Sequence, residues 1–413
     1  MKNIHTLSVV LHGLLSHDRI RWGDHTVRTT YAEIDLTAIA SNVELACRLA
    51  GPSAHVMAVV KANAYGHGVV EVARVALATG ATWLGVAIPE EAIPLRIADI
   101  ASRILVLGPI APDQADLVAD HGLDQCVCDQ AEAEALNCAG RARGRILALH
   151  LKVDTGMGRV GLHPREVRSM AERIAALPSV RLVGLMTHFA DAEAEVPDFA
   201  REQLARFLQV ARDLSGAGIP VPLRHAANSA GLLHLPEARL DLVRPGIMLY
   251  GYHPRGRRHP AEPALRPALR FRTAISQLKD VPRGASVSYG RTFVAPRDLR
   301  VATLPVGYAD GWGRLLSNRG QVLIRGQRVP VIGRVCMDMT MVDVTGLQEV
   351  RVGDEVVLIG RQGREELTAD EVAEAQGTIS YEVLCRIGPR VPRVYLPAPS
   401  TLSTAPELTG EES

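Results

Sequence analysis

The chain has 413 residues, 46 of them basic and 45 acidic, which leaves room for two domains because single cores stop growing near about 250–300 residues. Balanced charge with no block of one sign provides no basic face to follow a phosphate backbone, so nucleic acid is excluded as a partner. The six cysteines (47, 126, 128, 138, 336 and 385) form no CxxC pair, and no run of 18 apolar residues occurs; this argues against a thiolate metal site, a disulfide framework and a membrane-spanning helix, and for the reducing cytoplasm.

Residues 1–30 read as an N-terminal extension. The short apolar stretch at 7–15 (LSVVLHGLL) is interrupted by His12, followed by the charged SHDRIRW, and lacks a small-x-small cleavage site, so it does not read as a signal peptide. From 36 to 251 eight apolar strand-like runs follow in order: HVMAVV, TWLGVA, RILVLG, DQCVCD, RILALHLKVD, RLVGLMTHF, PLRHAA and LVRPGIMLYG. Between them lie amphipathic stretches such as EVARVALA, QAEAEALNCAG, REVRSMAERIAAL and EQLARFLQVARDL, with apolar residues three and four apart. Eight strand and helix units in about 220 residues match the size of a (β/α)8 barrel. A doubly wound sheet would show the same alternation, and the count favours the barrel. The expected barrel domain is 31–262, ending in a Pro- and Arg-rich join (YHPRGRRHPAEPAL). Residues 263–397 change to short runs of period two broken by Gly, Pro and Asn, a mostly β C-terminal domain. Within it TADEVAEAQG reads as one capped helix. Residues 398–413, rich in Pro, Ser and Thr, read as a disordered tail.

A barrel carries its chemistry at the C-terminal ends of its strands. Those ends hold Lys61, then Lys152, Asp154 and Arg159, then His188, Asn228 with Ser229, and Arg244. Each alone is commonplace: a strand-end lysine is usually a solvated charge, and a lone histidine usually serves a backbone group. Their joint placement at one rim is what makes a site. An amine at an apolar rim is partly desolvated, which lowers its pKa and favours attack on an aldehyde. Gly66 and Gly68 behind Lys61 permit close backbone approach, and Tyr65 adds a hydroxyl. In LALHLKVD, strand alternation puts His150, Lys152 and Asp154 on one face and Leu149, Leu151 and Val153 on the other. The apolar face meets the helices, so Lys152 points into the barrel. An ammonium there beside an arginine is costly.

Nine segments in order, VVKANAYGHG, KVDTGMGRVG, THFA, NSA, VRPGIMLYG, VSYGRTF, PVGYADG, GRVCMDM and SYEVLCRI, resemble the alanine racemase family from about residue 31 to residue 395. The resemblance implies a pyridoxal 5′-phosphate (PLP) enzyme, working as a homodimer, that interconverts L-alanine and D-alanine and supplies D-alanine for peptidoglycan. By position in the motifs, Lys61 corresponds to the lysine that holds PLP as a Schiff base, and Tyr289 to a second base contributed by the partner subunit. A racemase removes the α-proton from one face and returns one to the other, so this pair suffices. A free tyrosine is a poor base at neutral pH, so such a site must stabilise the phenolate or relay its proton. Arg244 resembles the arginine opposite the pyridine nitrogen. Tyr65, Ser229, Tyr381 and the backbone of Gly246 and Ile247 resemble the phosphate contacts, Asn228 a polar support, and His188 an imidazole against the ring.

The same resemblance assigns the substrate carboxylate to Arg159 and to the backbone of Met337, and carbamylation to Lys152, which would turn a misplaced cation into an anion that holds Arg159. Tyr308 matches the inner constriction of the substrate channel, and Arg314 and Arg334 its outer lining. The stretch DAEAEVPD after THFA departs from a common family pattern, so the acidic lining residue is Asp191 or Glu193. A broad-specificity or serine racemase is the alternative within this fold, with Tyr381 and Lys152 favouring alanine. A PLP decarboxylase of the same barrel type would not need Tyr289, and a non-catalytic PLP-binding barrel would lack the C-terminal domain.

Overall fold

Strands buried on both faces need near-continuous apolar sequence, and the runs WLGV and DQCV are buried at every position. The computed structural model describes residues 28–256 and 258–396, with three two-residue strands before them at Val9–Val10, Arg21–Trp22 and His25–Thr26. Of the reading of residues 1–30 as an extension, residues 1–27 apart from those three strands lie outside the described residues, as does the reading of 398–413 as a tail. Eight parallel strands form one sheet in sequence order: His55–Val59, Trp83–Val86, Arg103–Val106, Asp124–Val127, Leu147–Lys152, Val180–Met186, Leu223–His225 and Leu242–Val243. The eighth pairs with the first. Main-chain bonds bridge the remaining seam, from Asp241 N–H to Arg224 O at 3.1 Å and from Arg244 N–H to Ala227 O at 2.9 Å. The result is the expected (β/α)8 barrel, nearly closed.

Inside, Met57, Trp83, Leu105, Cys126, Met186 and Leu242 pack into one apolar cluster contributed by alternate faces of six strands. Outside, Val69–Ala78, Gln130–Ala142, Val167–Ala175 and Asp198–Gly216 are the four amphipathic helices read from the sequence. Asp129 caps the second of these, accepting the Ala131 N–H at 2.8 Å. Gly184, on the sixth strand, marks a close approach: a Cβ there would lie 2.1 Å from His150 Nδ1.

The chain divides into two compact units. Of the described residues, 38–64, 68–256 and 258–266 make the barrel unit, and 28–37, 65–67 and 267–396 make the other. A barrel domain of 31–262 would include Tyr31–Asp35. That strand pairs instead with Leu269–Ala274 and Arg393–Leu396 in the C-terminal sheet. Its alternation explains why: Ala32 and Ile34 are fully buried, while Glu33 on the other face pairs with Arg270 and Arg272 at 3.1 and 2.7 Å. A face that carries an ion-paired carboxylate suits an open sheet, not a barrel wall apolar on both faces. Leu269–Ala274 continues through Glu355–Gln362 to Gln321–Ile324 and Gln327–Pro330, and a second sheet joins Gln277–Val281, Leu299–Leu304 and Thr340–Asp343. The capped helix is Ala369–Gln376, opened by a Thr368–Glu371 capping box and closed by Gly377 at φ 71°.

Gly184→Ala is expected to destabilise the chain by about 1–3 kcal/mol, the usual range for overpacking a filled interior. Denaturant unfolding of the variant checks this, and an unchanged midpoint would show that His150 can give way.

Candidate active site

The first barrel strand ends at Val59, and Lys61 begins a turn of unusual hand. Ala62, Asn63, Ala64 and Tyr65 all have φ between 51° and 53°, a left-handed turn built from L-residues other than glycine. Each such residue costs about 1–2 kcal/mol, so the surroundings must enforce the shape. Glu91 does so from one side, accepting the Ala62 N–H at 2.6 Å and the Ala87 N–H at 2.7 Å. Asn63 does so from the other, its side chain accepting the Val69 N–H and its carbonyl the Gly68 N–H, both at 2.9 Å. Below the lysine, Val59 donates to Pro245 O at 3.1 Å and accepts from the Tyr250 hydroxyl at 2.9 Å. The turn therefore fixes where the partly buried Lys61 leaves the backbone.

Arg244, 4 % exposed, donates to Thr187 O at 2.7 Å, to Ala226 O at 3.1 Å and to His225 Nδ1 at 3.0 Å. Burial lowers its pKa to about 10, so it stays charged at neutral pH, and it makes no ion pair among the described residues. Since a guanidinium only donates, His225 accepts at Nδ1 and carries its proton on Nε2, which lies 2.9 Å from His150 Nδ1. His150 Nε2 then faces Asp124 Oδ2 at 3.5 Å, and Arg103 holds that carboxylate at 2.6 Å. Burial keeps both histidines below their ordinary pKa. A fixed chain of tautomers thus runs through the barrel interior to Arg244.

Lys152 is where alternation put it, 6 % exposed, its only hydrogen bond among the described residues a long one to Leu107 O at 3.5 Å. Burial lowers its pKa, and Arg244 and Arg159 lower it further. Arg159 is exposed and has no hydrogen bond or ion pair among the described residues. His188 gathers the site: its pKa is pushed down to about 3 by burial first, then by Arg244, Arg159, Lys152 and Lys61. Four cations act on one neutral imidazole.

Asn228 caps the short helix Ser229–His234, accepting the Gly231 N–H at 2.9 Å. Ser229 Oγ accepts from Gly246 N at 2.8 Å and from Met248 N at 3.4 Å, which leaves its own proton to donate outward. The Gly246 amide, expected to face a phosphate directly, is committed to Ser229. Ile247, at the head of the turn Ile247–Tyr250, has an amide with no partner among the described residues. A serine hydroxyl and an open amide beside a surplus of buried positive charge fit a phosphorylated, anionic cofactor. Asp191 and Glu193 lie on the loop after the sixth strand, with Asp191 exposed and Glu193 partly so.

In the other unit, Tyr65 and Tyr381 pack with ring centroids 6.0 Å apart. Gly66 permits this, since a Cβ would sit 2.3 Å from Leu384 O. Tyr289, 70 % exposed, stands between Ser288 at φ 65° and Gly290 at φ 68°, a strained turn held by Ser288 Oγ donating to Arg334 O at 2.6 Å. Tyr308 N donates to Cys336 O and Ala309 N to Met337 O, each at 3.1 Å. The loop of Arg314 joins them through Ser317 Oγ, which accepts the Val335 N–H at 3.0 Å. Tyr289, Tyr308, Arg314, Arg334 and Met337 thus sit on mutually tied loops, and Tyr308 and Met337 are 42 % and 53 % exposed.

Sequence reading missed His225 and Glu132. His225 was legible by the alternation that placed His150. Glu132 lies in the first turn of a helix, where an acid is usually a surface feature, yet it is buried, accepts the amides of Ile110 and Cys128, and has its pKa raised to about 7 by burial.

A parallel barrel with a lysine placed by a strained turn, a buried Arg244 and Lys152 without a carboxylate partner among the described residues, and a second, β-rich unit define a two-unit barrel enzyme. The models of the alanine racemase N-terminal and C-terminal domains match residues 34–254 and 268–395. The chain belongs to the alanine racemase family. It is 49% identical over 370 residues to the alanine racemase of Symbiobacterium thermophilum (89% of this chain, 97% of that protein) and 45% identical over 368 residues to that of Halothermothrix orenii (89% and 97%). Among solved structures it is similar to the alanine racemase of Bacillus anthracis with bound L-Ala-P, with a TM-score of 0.86 and 37% identity over 90% of this chain and 96% of that one.

The histidine shifts set an acid dependence. Below its ordinary pKa of 6.5 an unfolded His188 takes up a proton that the folded one refuses until about pH 3. Stability therefore falls as pH drops through that window, by up to about 1.4 kcal/mol per pH unit for each such group. Denaturant unfolding at pH 7, 6 and 5 should show this loss, with a shallower slope in His188→Gln; equal slopes would remove His188 from the account.

Proposed function

We propose that the protein interconverts L-alanine and D-alanine with PLP held at the barrel mouth, as a homodimer in the bacterial cytoplasm, and so supplies D-alanine for peptidoglycan. The observation that carries the cofactor and substrate reading is the burial of Arg244 and Lys152 with no carboxylate partner among the described residues, beside a His188 on which Arg244, Arg159, Lys152 and Lys61 all act. Bound there, PLP supplies the electron sink that makes the α-hydrogen of an amino acid acidic.

The chain's own residues do the rest. Lys61 anchors the cofactor and handles the proton on one face, and Tyr289 handles it on the other. Arg244, charged and fixed by His225, donates toward the ring nitrogen without surrendering a proton, which keeps the sink weak and side reactions few. Ser229, the Ile247 amide, Tyr65 and Tyr381 hold the phosphate, with Gly246 acting through Ser229. Asn228 fixes the helix that carries Ser229, and neutral His188 lies against the ring. Arg159 takes the substrate carboxylate together with the Met337 amide. Tyr308, Arg314 and Arg334 line the approach with Asp191 or Glu193.

Lys152 is the residue most in need of a change of charge. Its neutral amine adds CO2 and releases a proton, giving a carbamate anion between Arg159 and Arg244. Its burial and lowered pKa support this. Exposure of Tyr289, Tyr308 and Met337 on tied loops supports a partner subunit's site as their destination.

With PLP the protein is expected to be yellow, and Lys61→Ala to lose both the colour and the activity; a colourless wild type would contradict the lysine's role. Initial rates with alanine, serine, lysine and arginine test the substrate, and alanine is expected to lead by at least about tenfold, the worth of a contact or two in a fitted pocket. Serine in the lead would favour the alternative. Mixed Lys61→Ala and Tyr289→Phe subunits are expected to recover activity. No recovery in verified heterodimers would rule out shared sites.

A further inference from the structure

Asp310, two residues beyond Tyr308, is completely buried although it is an acid. Its carboxylate accepts five hydrogen bonds from Arg28 (2.5 and 3.0 Å), Arg390 (2.7 and 3.4 Å) and the Gly307 N–H (3.0 Å). Arg28 continues to Pro305 O at 2.7 Å, and Arg390 to Asp338 Oδ1 at 2.6 Å. Asp338 directly follows Met337. One arginine therefore grips two carboxylates, one on the loop of Tyr308 and one on the loop of Met337.

The two loops also run backbone against backbone. Beyond the bonds from Tyr308 and Ala309, a Cβ at Gly307 would lie 2.3 Å from both Cys336 O and Met337 O, so no side chain fits between them. Such contact leaves the loops free to slide together but not apart. What stops the sliding is Arg390 anchored to Asp310, with Gly388 N–H reaching Asp310 O at 3.4 Å from the same segment. Two cations on one buried carboxylate, with the second cation shared onward, is a costly arrangement for mere packing. A bidentate guanidinium fixes direction as well as distance.

We propose that Asp310 and Arg390 are positioning residues, which set the Tyr308 hydroxyl and the Met337 amide at one spacing and so determine how closely a substrate carboxylate and its small side chain are enclosed. This rests on the reading of Tyr308 and Met337 as channel and carboxylate contacts. Neither Asp310 nor Arg390 touches the substrate; both act through the loops they tie. Lysine at 390 could hold Asp310 or Asp338 but not both in the plane of a fork, so the arrangement is selective for arginine.

The test uses the PLP-loaded dimer with Arg390→Ala and Arg390→Lys, avoiding the buried Asp310. Arg390→Ala is expected to raise KM for L-alanine about tenfold with kcat within about threefold, because an enclosing contact acts on bound substrate and transition state alike. The preference for alanine over serine in kcat/KM is expected to fall about fivefold, and Arg390→Lys to recover less than half of either effect. Amide hydrogen exchange should quicken at 307–311 and 336–339 and nowhere else in the C-terminal unit. Unchanged KM, selectivity and local exchange in a wild type that racemises alanine would overturn the proposal. A wild type inactive on alanine would overturn the functional reading instead, and the proposal would then stand or fall on the exchange at the two loops.

Discussion

Positive charge taken out of water without a matching anion is the constraint around which this barrel is arranged. Arg244 is 4 % exposed and Lys152 6 %, and neither has a carboxylate partner among the described residues. A buried cation costs several kcal/mol unless it is paired or neutralised. Lys152 has the option of losing its proton and Arg244 does not, which is why the carbonyls of Thr187 and Ala226 and a neutral His225 are turned toward the guanidinium. They orient the charge but do not cancel it. Burial first, and the field that remains second, keep His188 neutral.

The two units solve different problems with the same device, an irregular backbone held by side chains. In the barrel unit the device is a left-handed turn clamped by Glu91 and Asn63. In the other it is the strained turn at Tyr289 and the close pair of loops around Gly307. Function on loops set by a rigid scaffold is common. Here side-chain hydrogen bonds from Glu91, Asn63 and Ser288 tie the loops to their surroundings.

Much of the fold was legible in the sequence because burial leaves a periodic trace. Continuous runs such as WLGV announced barrel strands, and the alternation of LALHLKVD placed His150 and Lys152 inside, where the structure has them. Tyr31–Asp35 was misgrouped because a short strand next to a barrel in sequence looks like its first member; only the alternation of YAEID, with Glu33 answering two arginines more than 230 residues away, reveals its sheet. The site residues stood out as motif positions. The groups around them did not: His225 and Asp310 are ordinary residue types whose partners His150, Arg28 and Arg390 are remote in the chain, and Glu132 sits in a helix's first turn where an acid is commonplace. Nor could periodicity foretell left-handed backbone at alanines, which carry no side-chain signal for it.

That turn has one further consequence. Mirror-hand geometry at four successive residues is unavailable to the segment by itself and is borrowed from neighbours such as Glu91, Gly68 and Val69. Before those neighbours assemble, Lys61 is a lysine on a floppy strand end like any other. A nascent or damaged copy keeps the amine in its sequence but has no means of aiming it.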